Sequence, residues 1–161
     1  MESRAKEAVK TFESGYTCAQ SVFVTYADLF GMDRETALKL SSPMGGGIGR
    51  MREVCGAVSS MALLAGLKEG NTDPENEDGK EQIYLLTRKL AEKFKEKHGT
   101  IICRELLGIE GMEKSARPSK RTADYYAARP CSRLVETASE IIEEMLLQDK
   151  ISTLQILKSI I

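Results

Sequence analysis

Four cysteines are the residues of this 161-residue sequence best suited to chemistry: Cys18, Cys55, Cys103 and Cys131. No two of them form a Cys-x-x-Cys pair, so the sequence contains neither a zinc knuckle nor a thioredoxin-type motif. If the thiols share a site, the fold must bring them together. Such a site could hold an iron–sulfur or other soft metal centre, or its thiols could cycle between dithiol and disulfide. A third interpretation is purely structural, because free cysteine is often buried as a small apolar residue.

The first two cysteines lie where helices are expected to begin. Thr17 and Gln20 match a capping box, in which each side chain bonds to the other residue's backbone N–H, and this places Cys18 in the first turn. Cys55 follows a glycine-rich run by a few residues and lies near the start of an apolar helix that extends to Leu67. Both thiols are therefore predicted at helix N-termini.

The other two cysteines have similar surroundings. Thr100 is expected to cap a helix that carries Cys103 about one turn later. Pro130 is typical of the first position of a helix, and Cys131 follows it directly. Backbone N–H groups and the helix dipole at such positions favour the thiolate, so a cysteine pKa below the free value of about 8.5 is expected. Nearby arginines could add to this effect: Arg50, Arg52, Arg104, Arg129 and Arg133.

The elements that must position these thiols have the helical period. Apolar residues recur at spacings of three and four in every long stretch, and strand-like alternation is nearly absent. The sequence predicts an all-α fold, a single-domain helical bundle over residues 1–161. Residues 149–161 form a C-terminal extension with an apolar stripe that must be covered. Coverage by a second copy is favoured and predicts a homodimer, and packing within the same chain is the alternative.

Composition limits the classes of protein. A net charge of −1 gives no overall field for nucleic acid, and the longest apolar run is too short to span a membrane. The first ten residues carry charges throughout and lack the apolar segment of a signal peptide. We therefore expect a cytoplasmic protein with no nucleic-acid partner, no membrane insertion and reduced thiols.

A glycine-rich run between two helices is the second chemical feature. Its glycines are candidate cofactor-binding residues, although the run lacks both nucleotide-binding signatures: Gly45, Gly46, Gly47 and Gly49. Close approach of the backbone to the thiols, with N–H groups bonded to sulfur, is the preferred role, and a tight turn is the simpler one.

Three other features favour structural interpretations. His98, the only histidine, ends a helix and is expected to be structural. The basic residues around Arg121 are expected in a solvated loop. The pair Tyr125–Tyr126 either shields the thiol site from water or packs in the core.

From about Gly15 to Ile142, the sequence resembles the C-GCAxxG-C-C family of redox-active proteins. The resemblance rests on the four cysteines and their neighbours, including Thr-Cys-Ala-Gln at residues 17–20, Gly-Gly-Gly-Ile-Gly-Arg-Met at 45–51, Cys-Gly-Ala at 55–57 and Cys-Arg-Glu-Leu-Leu-Gly at 103–108. It implies a redox role for all four cysteines. One departure is Ser60, which stands where the family's Cys-Gly-Ala-x-x-Gly motif ends in glycine.

Together, these features predict a redox-active protein whose four cysteines form one site. The favoured chemistry is an iron–sulfur or other soft metal centre for electron transfer, with an unidentified redox partner. A thiol–disulfide protein without metal and a helical binding protein with structural cysteines are the alternatives. An oxidoreductase remains compatible with the sequence, but no acid–base pair is visible.

Overall fold

The computed structural model describes residues 1–111 and 113–150 of the chain. The fold is all-α, as predicted: the structure is 69% helical, and the described residues contain no strand. Its helices are α1 (Ala5–Glu13), α2 (Cys18–Ala27), α3 (Arg34–Ser41), α4 (Gly45–Ile48), α5 (Gly56–Glu69), α6 (Glu77–His98), α7 (Cys103–Leu107), α8 (Ala123–Ala128) and α9 (Cys131–Leu146).

Helix α2 is the centre of the bundle. It packs against α1, α3, α5 and α9, and eight of its ten residues are buried, Phe23 and Tyr26 completely. A helix surrounded in this way needs apolar residues on all sides rather than one stripe. The amphipathic helices α1 and α9 cover it, and the long α6 packs along α5 and α9 through Leu90 and Phe94.

Small residues allow α2 and α5 to pack closely. A Cβ on Gly56 would lie 3.0 Å from the Ala19 Cβ, which leaves no room for a side chain there. One turn further along α5, the buried Ser60 hydroxyl donates a 2.7 Å hydrogen bond to the Ala19 carbonyl. The departure from glycine at position 60 therefore preserves the close contact and adds a hydrogen bond across it.

A short backbone bridge connects the segments before α5 and α7. Val54 and Ile102 form an isolated antiparallel bridge. Beside it, the Cys55 N–H donates to the Ile101 carbonyl at 2.8 Å, and the Cys103 N–H donates to the Glu53 carbonyl at 2.6 Å. These bonds hold Cys55 and Cys103 on neighbouring backbone segments although the two residues are far apart in the sequence.

The glycine-rich run forms an unusual turn around α4. Five consecutive residues, 46 to 50, have φ between 56° and 66°. Glycine adopts such angles without steric cost, which explains three of the five positions. Ile48 and Arg50 are the other two.

The C-terminal stripe from Ile151 onward, on which the dimer prediction rests, lies outside the described residues. Within them, no helix combines the length and the apolar character needed to cross a membrane.

Candidate redox site

All four cysteines lie at helix starts, as predicted. Cys18, Cys103 and Cys131 are the first residues of α2, α7 and α9, and Cys55 is the N-cap of α5. The capping box around Cys18 is present, with the Gln20 N–H donating to the Thr17 hydroxyl and the Gln20 side chain accepting from the Thr17 N–H.

Two boundaries differ from the prediction. Thr100 does not cap α7: its hydroxyl accepts from the Ile102 N–H and donates to Glu105, and the bridge keeps Ile102 extended, so the helix starts only at Cys103. Pro130 is the N-cap of α9 rather than its first residue. Both differences bring a cysteine closer to the helix end.

One cavity of about 450 Å³ is lined by all four cysteines. Its apolar wall comes from α1, α7 and α9 and from the start of α8, through Phe12, Leu106, Leu107, Tyr125 and Leu134. The bundle therefore brings together the four residues that the sequence singled out.

Cys18 and Cys55 lie at the contact between α2 and α5, where a Cβ on Gly56, the residue after Cys55, would lie 2.8 Å from the Cys18 sulfur. A hydrogen bond from the Cys55 thiol, followed by bonds from the Gly46 and Ala19 N–H groups and the charge of Arg121, outweighs burial and lowers the pKa of Cys18 to about 7. The same interaction raises the pKa of Cys55 well above its ordinary value, and burial adds to the effect. Cys18 is partly exposed, whereas Cys55 is buried. The pair thus combines an accessible thiolate with a protonated neighbour.

The remaining two thiols are held in the neutral form. Burial raises the pKa of Cys131 to about 12, and the nearby Cys18 adds to this rise. Burial also raises the pKa of Cys103, although a 3.7 Å hydrogen bond from the Arg52 guanidinium opposes it. A lowered pKa was predicted for at least one of Cys18, Cys55 and Cys131, and among the four thiols it is found at Cys18.

The glycines of the run make room for the thiols. The Gly46 N–H contributes to the lowered pKa of Cys18. A Cβ on Gly47 would lie 2.7 Å from the Cys103 Cβ, and one on Gly45 would lie 2.7 Å from the Thr17 Cβ. Three of the four candidate glycines line the cavity: Gly45, Gly46 and Gly49. Gly47 packs behind it against Cys103.

The structure also shows which basic and aromatic residues near Cys131 line the cavity. Arg121, expected in a solvated loop, instead lines the cavity, with its guanidinium carbon 4.6 Å from the centroid of the Tyr125 ring. Tyr125 faces the cavity, whereas Tyr126 packs edge-on against Phe12 and donates to its carbonyl. Both interpretations of the tyrosine pair therefore apply, one to each ring.

The other predicted charges have structural partners. Arg104 forms a 2.8 Å ion pair with Glu53, and Arg104 is not among the residues that line the cavity. His98 stacks on Phe94 and lies 3.0 Å from the Thr137 hydroxyl, and burial lowers its pKa. The structural interpretation of His98 therefore agrees with its contacts.

The described residues do not confirm the predicted metal centre. Over residues 1–111 and 113–150, no group of three or more cysteine, histidine, aspartate or glutamate side chains is arranged to hold a metal ion. The four thiols line one cavity, and the iron–sulfur or other soft metal centre stays a prediction.

Three comparisons with known proteins bear on this arrangement. Neither the curated proteins nor the solved structures gave a significant match. A family model described as "Putative redox-active protein (C_GCAxxG_C_C)" matches residues 16–145, which is most of the chain and includes all four cysteines. The protein therefore belongs to the C_GCAxxG_C_C family of redox-active proteins.

Proposed function

We propose that this protein is a thiol–disulfide redox protein in which Cys18 is the attacking thiolate and Cys55 the resolving thiol. The observation that supports this most is geometric: both thiols line one cavity, Cys18 partly exposed and Cys55 buried, and the Cys18 sulfur packs against Gly56, the residue that follows Cys55. An attacking thiol works best when its pKa lies near the ambient pH, because about half of it is then ionised and the thiolate is still strongly nucleophilic.

The reaction takes place in two exchange steps. The Cys18 thiolate attacks one sulfur of a disulfide R–S–S–R, forming the mixed disulfide Cys18–S–S–R and releasing R–S⁻. Cys55 then loses its proton to the released R–S⁻ or to water and attacks the Cys18 sulfur, forming the Cys18–Cys55 disulfide and releasing the second R–S⁻. The substrate gains two electrons and the protein loses two. A dithiol reductant returns the pair to its starting state by the same chemistry.

Thiol counting with peptide mapping tests this assignment. The reduced protein is treated with one equivalent of a small disulfide, and the bridged residues are identified by mass spectrometry. We expect the loss of two thiols and a Cys18–Cys55 bridge. Cys55→Ser is expected to stop at the mixed disulfide on Cys18, and Cys18→Ser to lose the fast reaction. Cys131→Ser is the matched control, because it removes a cavity thiol outside the pair. A bridge between other cysteines, or four unreactive thiols, would contradict the proposal.

The alternative function is electron transfer by an iron–sulfur or other soft metal centre. The observation that favours it is that four soft ligands line one cavity. Anaerobic purification followed by iron and labile-sulfide analysis distinguishes the two. Stoichiometric iron and sulfide would support electron transfer and refute the dithiol proposal, whereas a colourless protein with four free thiols supports the dithiol proposal.

A further inference from the structure

The cavity that holds the thiols is lined by four arginines and, among the described residues, by no aspartate or glutamate: its basic residues are Arg50, Arg52, Arg121 and Arg129. Buried guanidinium groups are normally paired, because an unpaired buried charge is strongly disfavoured. A guanidinium N–H group that has no acceptor in the protein is therefore available to bind an anion in the cavity.

Arg50 has protein partners. Its Nε donates to the Ser115 carbonyl at 3.0 Å, its Nη1 donates to the Ser119 hydroxyl at 3.2 Å, and its Nη2 lies 3.3 Å from Glu113. These contacts attach the segment before α8 to the glycine turn. Arg50 is thus a structural anchor.

Arg52 is different. It is 3% exposed and makes one long contact to the Cys103 sulfur and another, at 3.9 Å, to Glu113. Its Nε is buried and has no hydrogen-bond partner in the part of the chain that the structure describes. A buried N–H of a charged group that lacks an acceptor is costly, and buried polar groups in proteins are rarely left unsatisfied. An acceptor at this cavity wall would remove that cost.

Arg121 also has a buried N–H group, its Nη1, without a hydrogen-bond partner among the described residues. The rings of Tyr125 and Phe12 hold the guanidinium carbon at 4.6 and 5.2 Å from their centroids. Stacking occupies the face of the guanidinium and leaves its edge N–H groups for a planar anion such as a carboxylate.

We infer that the cavity binds a small disulfide that carries anionic groups such as carboxylates, with Arg52 and Arg121 as its anion contacts. This inference rests on the proposed function, of which it specifies the substrate class. The volume of about 450 Å³ lies within the range of small-molecule sites, and the apolar wall suits the carbon chain of such a compound. The anion contacts would orient the substrate so that a substrate sulfur faces Cys18.

Three small disulfides that differ in charge test the inference. They are 3,3′-dithiodipropionate, which is anionic, bis(2-hydroxyethyl) disulfide, which is neutral, and cystamine, which is cationic. The rate at which each oxidises the reduced protein is divided by its rate with a free monothiol, so that intrinsic reactivity cancels. We expect the anionic compound to exceed the neutral one by about tenfold or more and the cationic one to be slowest.

Variants then locate the effect. Arg121→Gln is expected to reduce the anionic-to-neutral ratio about tenfold. The ratio is the relevant quantity because Arg121 also lowers the pKa of Cys18, so both rates will fall. Arg88→Gln is the matched control: it removes one exposed positive charge on α6, away from the cavity, and should leave the ratio unchanged. If Arg121→Gln does not fold, Arg121→Lys and competition by inorganic sulfate on the wild-type protein replace it. Both should lower the anionic rate more than the neutral rate.

The outcomes separate the two proposals. Equal relative rates for the three disulfides, or a ratio unaffected by sulfate and by substitution at Arg121, would overturn the inference and leave the thiol–disulfide function intact. No reaction with any of the three would overturn the proposed function and the disulfide substrate together. Calorimetry of dithiodipropionate with Cys18→Ser reads the anion contacts without thiol chemistry. Binding that is lost in Cys18→Ser/Arg121→Gln supports them, and the absence of binding overturns them.

Discussion

Removing the Cys55 thiol should raise the pKa of Cys18. The hydrogen bond from Cys55 is the largest contribution that lowers the Cys18 pKa to about 7. A hydrogen bond to a charged group contributes about 1.5–3 kcal/mol, and one pKa unit corresponds to about 1.4 kcal/mol. Cys55→Ala should therefore move the Cys18 pKa upward by about one to two units. At pH 7, the thiolate fraction would fall from about one half to less than about one tenth.

The assay is alkylation by iodoacetamide as a function of pH, with each cysteine followed separately by peptide mass spectrometry. In the wild-type protein, Cys18 should label with a midpoint near pH 7, and Cys131, whose pKa is raised to about 12, should remain unlabelled over the same period. Cys55→Ser keeps a hydroxyl donor at the same position and should retain much of the shift. Cys131→Ala removes a cavity thiol that is not among the hydrogen-bond donors to Cys18, so the midpoint should rise little or not at all.

Two results would refute this reasoning. A wild-type midpoint at or above about 8.5, the free value, would show that Cys18 is not activated. An unchanged midpoint in a folded Cys55→Ala protein would show that the helix N-terminus, Gly46 and Arg121 are sufficient without Cys55. Equilibrium unfolding of each variant establishes that the protein remains folded.

Two further predictions concern stability. Gly47→Ala should destabilise the protein by more than about 2 kcal/mol in urea unfolding, because the new Cβ would lie 2.7 Å from the Cys103 Cβ in a backbone with φ of 64°. Gly99→Ala is the control: its φ is 82° but the space around it is open, so it should cost only about 1–2 kcal/mol. Equal losses in the two variants would contradict the steric argument. Ser60→Ala should lower the free energy of unfolding by about 1 kcal/mol, because it removes the hydrogen bond to the Ala19 carbonyl. The Cys18 alkylation midpoint should not move, and a large shift would show that this bond positions the thiol.

The helical fold and the positions of the thiols were largely accessible from the sequence, because both depend on local patterns. The spacing of apolar residues predicts helices, and the residues before Cys18 and Cys131 indicate where two of these helices begin. Local caps fix a cysteine at a helix N-terminus regardless of tertiary structure. The capping box of α2 is the clearest example.

The error at Thr100 and the misassignment of Arg121 have a common cause. Both depend on contacts between distant segments: the bridge of Ile102 to Val54 delays the start of α7, and the loop before α8 folds back over the cavity. The pairing of Cys18 with Cys55 is likewise set by the close packing of α2 on α5. No spacing rule in a single sequence reports such contacts.

The backbone of the turn at residues 46–50 is left-handed, whereas the helices around it are right-handed. Left-handed backbone costs an L-residue about 1–2 kcal/mol. Ile48 and Arg50 together therefore lower the free energy of unfolding by about 2–4 kcal/mol. A mirror-image residue would reverse the sign: a synthetic chain with D-isoleucine at position 48, where the side chain is exposed, should be more resistant to unfolding. In the natural chain, we expect this strained turn to open locally more readily than the helices, and Gly46 within it lines the same cavity as Cys18. Access of a substrate to the thiolate would then depend on the two chiral residues of this turn, Ile48 and Arg50, and not only on the stability of the whole bundle.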